Sequence, residues 1–130
     1  MNKEQPVPQL AFRGVVHPWM CDAMGHMNNA VYATMIEQAR LAFLTPNGAP
    51  VESMILARLE IDFRSPVELG ETIEIAVTPA RVGTKSFDLD YVLRAADRVV
   101  AEAKTVLVAY DYATGSSVEL PDEWKERLAA

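Results

Sequence analysis

The residues best able to do chemistry crowd into one stretch, Cys21-Asp22-Ala23-Met24-Gly25-His26-Met27-Asn28-Asn29-Ala30-Val31-Tyr32. A helical pattern begins immediately at its end. A helix N-terminus presents unpaired backbone N–H groups and the positive end of the helix dipole, so it can polarise a carbonyl or hold an anion. Asp22 precedes Asn29 by seven residues, and a loop that folds back puts its carboxylate opposite the same carbonyl carbon. A nucleophile or base and an oxyanion donor are the two parts a simple acyl hydrolase needs. Away from such a setting, an Asp on a polar loop is a solvated or turn-forming residue. His26 has three readings: contact with substrate, orientation of the loop by hydrogen bonding, or structural satisfaction of backbone groups. Cys21 with His17 and His26 invites a thiol-nucleophile or zinc reading, yet two His and one Cys at irregular spacing fit neither the closed nor the open zinc pattern.

Met20, Met24, Met27 and Met35 surround this stretch, and their thioether chains suit either an adaptable acyl pocket or plain core filling. Arg81 and Lys85 flank Gly83 in an expected turn, where they either meet a phosphate or remain solvated charges. Glu37 and Arg40 stand three apart on the expected helix, the spacing of a surface pair worth roughly 0.2–0.5 kcal/mol. There is no GxGxxG, Walker loop, HExxH, CxxC or GxSxG, so dinucleotide, nucleotide-hydrolase and serine-hydrolase readings have no sequence support.

Such a loop needs a scaffold. Leu10 to Val16 predicts a modest strand, His17 to Asn29 a loop, and Ala30 to Leu44 an amphipathic helix with Tyr32, Met35, Ile36, Ala39 and Phe43 on one face. Asn28 or Asn29 can cap its start, and Pro46-Asn47-Gly48 ends it. Ile55 to Arg64 alternates with a period of two, Ile55, Ala57, Leu59, Ile61 and Phe63 on one side. After a turn at Pro66–Glu71 come strands at Thr72–Val77, Ser86–Arg94 and Val99–Tyr112, with a reversal at Pro79–Thr84 and closure at Thr114–Ser117. Pro121 to Leu128 is a short helix, acidic early and basic late as its dipole favours. Short turns imply antiparallel neighbours, and the one long apolar helix is the only cover for the sheet. The simplest arrangement is a curved antiparallel sheet wrapped around that helix. So small a sheet leaves strand edges exposed, which predicts a homo-oligomer with Val99–Tyr112 or Ser86–Arg94 supplying the contacts.

At 130 residues, 50% apolar and 23% charged, the chain predicts a single globular domain. A net charge of −6 is the wrong sign for nucleic acid or an anionic membrane, so an anionic ligand needs a local basic pocket. One cysteine excludes an internal disulfide framework, and Met1 to Pro6 lacks an apolar signal core; no apolar run approaches membrane-spanning length. The expected compartment is a reducing one, most simply the cytoplasm.

Asp22, two spacers, Gly25-His26, a spacer, Asn28, then Tyr32 and a helix carrying Glu37 and Ala39-Arg40 resemble the hotdog-fold acyl-CoA thioesterases of the 4-hydroxybenzoyl-CoA thioesterase type. The resemblance continues through Asp62 to Pro66, Leu69-Gly70-Glu71, Arg81 to Phe87 and Leu120-Pro121, nearly the whole chain. It implies an α+β hotdog domain over residues 1–130, acting on an acyl-CoA without metal or organic cofactor. It also implies a homodimer with a continuous sheet, or a homotetramer, with active sites at the dimer interface. By the same resemblance Asp22 is the catalytic carboxylate, attacking directly or through a water, the Asn29 backbone N–H polarises the carbonyl, and His26 is counted with them as catalytic. Gly25, Asn28, Tyr32, Arg81, Lys85 and Ser86 fall to substrate binding, and Glu37 to a supporting role. Gly-His is often replaced in the aromatic-substrate group, so His26 leans toward a general acyl-CoA. A non-catalytic acyl-CoA binding module and a hotdog dehydratase or hydratase are the alternatives, and the Asp22 motif argues against both.

Overall fold

The computed structural model describes residues 7–129; Ala130 and the opening segment from Met1 to Pro6, including its expected lack of signal character, lie outside them. The described elements are β1 (Gln9–Val15), α1 (Asn29–Leu44), β2 (Met54–Phe63), β3 (Thr72–Val82), β4 (Ser86–Ala95), β5 (Arg98–Asp111), β6 (Ser116–Ser117) and α2 (Asp122–Ala129), with short 3-10 turns at Pro18–Met20 and Val51–Ser53. The main strands form one antiparallel sheet in the order β1-β3-β4-β5-β2, and β6 pairs with the end of β5.

Helix α1 covers the concave face of that sheet, the arrangement expected of a hotdog domain. Tyr32, Met35, Ile36, Ala39, Arg40, Phe43 and Leu44 recur at steps of three and four and are all buried. The sheet answers with Ile73, Ile75 and Val77 of β3, Phe87, Leu89, Tyr91 and Leu93 of β4, and Ala101 and Leu107 of β5. Small Ala101, Ala103 and Ala109 on β5 leave room for the larger helix residues, as close packing requires. Each fully buried Ile or Leu here stabilises the fold by roughly 1.5–3 kcal/mol relative to leaving it exposed. Helix α2 closes the far end, with Trp124 edge-on to Phe87 at 6.0 Å. Among the described residues no helix is long and apolar enough to cross a membrane.

Four features depart from the sequence expectation. Strand β3 does not turn at Pro79 but runs to Val82. Its pairing with β1 stops at Gln9↔Val77, so from there, among the described residues, the strand has β4 as its only sheet neighbour and the missing N–H of Pro79 costs no ladder bond on the open side. In β2 a bulge between Leu56 and Arg58 switches the alternation. Leu59, Ile61 and Phe63 face inward opposite Thr105, Ala103 and Ala101, but ahead of the bulge the inward residues are Met54 and Leu56, opposite Ala109 and Leu107, and not Ile55 and Ala57. Ser116–Ser117, expected to be part of the closing turn, adds a two-residue strand. Finally, the surface pair of Glu37 with Arg40 does not form: Arg40 is only 9% exposed, on the inner face of α1 beside Tyr91. Burial pushes the Tyr91 phenol pKa up, against the Thr105 hydrogen bond and the nearby Arg40 cation.

Candidate active site

The Asp22 loop is a small hairpin shaped by its own backbone. Cys21 and Met27 form an isolated antiparallel bridge, the Asp22 N–H donates to the His26 carbonyl at 2.8 Å, and the Gly25 N–H donates to the Asp22 carbonyl at 3.1 Å. Gly25 closes this turn at φ 80°, a conformation that favours glycine, although a Cβ there would meet nothing within 4 Å. The demand at Gly25 is therefore conformational. Asp22 Oδ1 accepts from the N–H groups of Met24 at 2.9 Å and His26 at 3.2 Å, the self-bonding turn that Asp favours. Among the described residues Oδ2 has no donor.

The hairpin lies against the turn between β2 and β3. Met27 N–H donates to the Val67 carbonyl at 2.7 Å, His26 bridges to Glu68, and Leu69 N–H reaches the Gly25 carbonyl at 3.4 Å. On its other side the loop runs into α1. Asn28, not Asn29, is the cap: its side chain accepts from Ala30 N–H at 2.8 Å and its carbonyl from Val31 N–H at 2.9 Å. The Asn29 N–H, first of the helix, is left without an acceptor among the described residues.

Asp22, His26, Asn29 and Tyr32 thus line one open cleft of about 300 Å³, with Met27 at its base. Its opposite wall is the end of β2 and the following residues, Phe63 to Pro66. Tyr32 meets Phe63 edge to face at 5.0 Å, and Phe63 is 49% exposed, so one side of the cleft is apolar and open. Burial pushes the Tyr32 phenol pKa up. The imidazole of His26 makes no hydrogen bond among the described residues; the loop is oriented by the His26 backbone. No group of three or more His, Cys, Asp or Glu side chains among the described residues is placed to hold a metal. Cys21 Sγ points to the His17 carbonyl at 3.7 Å and does not line the cleft.

Other expected site residues lie elsewhere. Gly25 and Asn28 shape the loop without lining the cleft. Glu37 lies on α1 about 12 Å past Asn29 at 1.5 Å per residue, in a second cleft with Arg40, Leu41 and Leu56. Arg81 near the end of β3, Lys85 in the β3–β4 turn and Ser86 at the start of β4 lie at the far end of β3 from the Asp22 loop, a strand of eleven residues that spans about 30 Å or more at strand spacing. There Arg81 is bound to Asp88 at 3.0 Å and to Ser86 Oγ at 2.7 Å. The four wall residues from Phe63 to Pro66 belong to the stretch that carries the family resemblance, but nothing in the sequence assigns them to the site, because their place follows from where β2 ends.

The thioesterase-like superfamily model matches residues 16–128. A 1,4-dihydroxy-2-naphthoyl-CoA hydrolase from Nostoc punctiforme is 32% identical over 74 residues, 57% of this chain and 50% of that protein, so the match spans half the length of the curated relative. A thioesterase from Thermus thermophilus, crystallised with coenzyme A and zinc, superposes with a TM-score of 0.84 at 26% identity, covering 92% of this chain and 90% of that one. A 1,4-dihydroxy-2-naphthoyl-CoA thioesterase from Synechocystis gives 0.80 at 19% identity, covering 91% and 93%, and shares the fold. With nearly all of its folded length matched by the family model, and with the sheet wrapped around α1 repeated in these structures, this chain belongs to the thioesterase-like superfamily.

Proposed function

We propose that the protein hydrolyses acyl-CoA thioesters to the free acid and CoA in the cleft between Asp22 and the start of α1. One observation carries the reading: among the described residues the Asp22 carboxylate has one oxygen held by two backbone N–H groups and the other without a donor, in the same cleft as an Asn29 N–H without an acceptor. A thioester carbonyl oxygen placed on that N–H gains polarisation from the helix terminus, and the negative charge that develops on the oxygen is stabilised there. Asp22 then either attacks the carbonyl carbon, expelling CoA thiolate and leaving an anhydride that water opens, or takes a proton from a water that attacks. Both routes consume one water and yield acid and thiol. Membership of the superfamily and a CoA-bound structural relative at 26% identity support this chemistry.

The working unit in this reading is a homodimer or homotetramer with the cleft at an interface. The segments expected to supply the contacts, Ser86–Arg94 or Val99–Tyr112, fall in β4 and β5, which both have neighbours on either side, so among the described residues the free sheet edges belong to β1 and β2. Leu56 and Phe63 on β2 are 43% and 49% exposed, which supports a second chain covering that edge. Arg81, Lys85 and Ser86 serve the same CoA only where another chain brings their turn to the cleft. No metal or organic cofactor takes part, and a reducing compartment such as the cytoplasm suits the single free Cys21.

The test is incubation with a series of acyl-CoAs while released thiol is followed. Turnover that Asp22→Asn abolishes is the expected result. Tight CoA binding without thiol release would leave a binding module, and water addition to an enoyl-CoA in its place would mark a hydratase.

A further inference from the structure

Arg98, at the start of β5, makes five hydrogen bonds, matching the five N–H donors of a guanidinium. Its Nη1 and Nη2 atoms hold the Glu71 carboxylate end-on, both at 2.7 Å. Its remaining donors reach Ser65 Oγ at 3.0 Å, the Pro66 carbonyl at 2.9 Å and the Ala95 carbonyl at 3.4 Å. Glu71 in turn accepts from the Glu68 N–H at 2.9 Å. One side chain therefore ties both ends of the Ser65–Glu71 turn to the sheet.

That turn carries the Asp22 hairpin on Val67, Glu68 and Leu69, and its first residues, Ser65 and Pro66, form part of the cleft wall. We infer that the Arg98–Glu71 pair is a positioning device, which fixes the Ser65–Glu71 turn and through it the placement of Asp22 relative to the Asn29 N–H. Neither residue lines the cleft; both act through the turn. The pair also lies close enough to Tyr32, on the helix side, for its charges to bear on that phenol. Bidentate geometry is what makes this a device and not a tether: it restricts rotation as well as distance, which an ammonium cannot do. Since a misplacement of about 1 Å can cost as much as a hundredfold in rate, loosening this turn acts on the chemical step more than on ligand contacts made elsewhere.

The inference rests on the hydrolase reading for its kinetic arm only. Arg98→Met, Arg98→Lys and Glu71→Gln are compared with the wild type and with Arg127→Met, which removes a similar Arg–carboxylate pair from α2. Thioester kcat should fall ten- to fiftyfold in Arg98→Met and Glu71→Gln with KM within threefold, Arg98→Lys lying between, and Arg127→Met staying near wild type. Hydrogen exchange, which needs no substrate, should be at least tenfold faster at the amides of Asp22 and Met27, with Leu89 and Tyr91 in β4 unchanged. Uniformly faster exchange across the sheet, or unchanged exchange at the hairpin, would overturn the positioning role. So would kcat within threefold of wild type in both Arg98→Met and Glu71→Gln. An inactive wild type would remove the hydrolase reading, and the exchange pattern alone would then decide on the clamp. Glu71→Gln preserves side-chain shape and keeps the test open if Arg98→Met does not fold.

Discussion

Both ends of β3 carry an arginine–carboxylate pair, and the two are put to different use. At the Arg81 end the partners are seven residues apart, and Arg81, Asp88 and Ser86 close their own hairpin. At the Asp22 end the partners are 27 residues apart, and Arg98 with Glu71 ties β5 to a turn on which another loop rests. At the Arg81 end Phe87 is fully buried against Trp124, whereas the Asp22 end is open, with Phe63 half exposed. A local pair uses up its charge, whereas a long-range pair sets the position of groups that stay free.

The largest effect that tests this contrast is on stability. Phe87→Ala should destabilise the fold by about 3–5 kcal/mol, as deletion of a buried aromatic does, while Phe63→Ala should cost under about 1 kcal/mol and appear mainly in KM. Denaturant unfolding measures the first and steady-state kinetics the second. Equal losses of stability would show that the Asp22 end is as tightly built as the other.

Next is catalysis. Asp22→Asn keeps shape and removes charge, so kcat should fall at least a hundredfold, about 2.7 kcal/mol of barrier, with KM little changed. Arg81→Ala should leave kcat near wild type and raise KM by less than about fivefold, because Arg81 is committed to Asp88. A loss of kcat in Arg81→Ala as large as in Asp22→Asn would mean the two ends share one catalytic task.

How far the sequence carried this picture varies with scale. The period-two and helical patterns were enough for the sheet wrapped around α1, because inner-face burial leaves its mark on every second or third residue. The Asp22–Tyr32 cluster was legible too, since loop chemistry and the helix start are adjacent in the chain. The bulge at Ala57 was not: it depends on the register with β5, and the apolar run there reads equally well in either phase. Arg40 looked like a surface charge because only tertiary packing reveals Tyr91 across from it. Arg98 carried no local signal at all, its acceptors being spread over Ser65, Pro66, Glu71 and Ala95.

A smaller effect separates the Arg98 pair by pH. The Arg98 hydrogen bonds, helped by the Glu68 N–H and opposed by burial, hold the Glu71 carboxyl at about 2, against an ordinary 4.5. A carboxylate whose folded pKa is depressed contributes stability above its unfolded pKa and loses it as pH falls through the folded one. The melting-temperature gap between wild type and Glu71→Gln should therefore be full above about pH 5 and close between pH 4.5 and about 2. Thermal melts at half-unit pH steps measure it, and a gap that widens on acidification would reverse the assignment. The smallest effect belongs to Asn29→Ala. It leaves the backbone N–H in place, so kcat should stay within about threefold, and a tenfold loss would move the oxyanion role to the side chain.

The bulge in β2 has a consequence for how the chain tolerates change in length. Strand faces obey parity, so removing any ordinary strand residue turns over everything on one side of the cut. Ala57 is the surplus member, lying between Leu56, opposite Leu107, and Arg58, opposite Val106. Its removal would restore plain alternation with Met54, Leu56, Leu59, Ile61 and Phe63 all still turned to the helix. Within this strand Ala57 is thus a place where a residue can be lost without a change of sides, a built-in slot for deletion in an edge strand of the sheet.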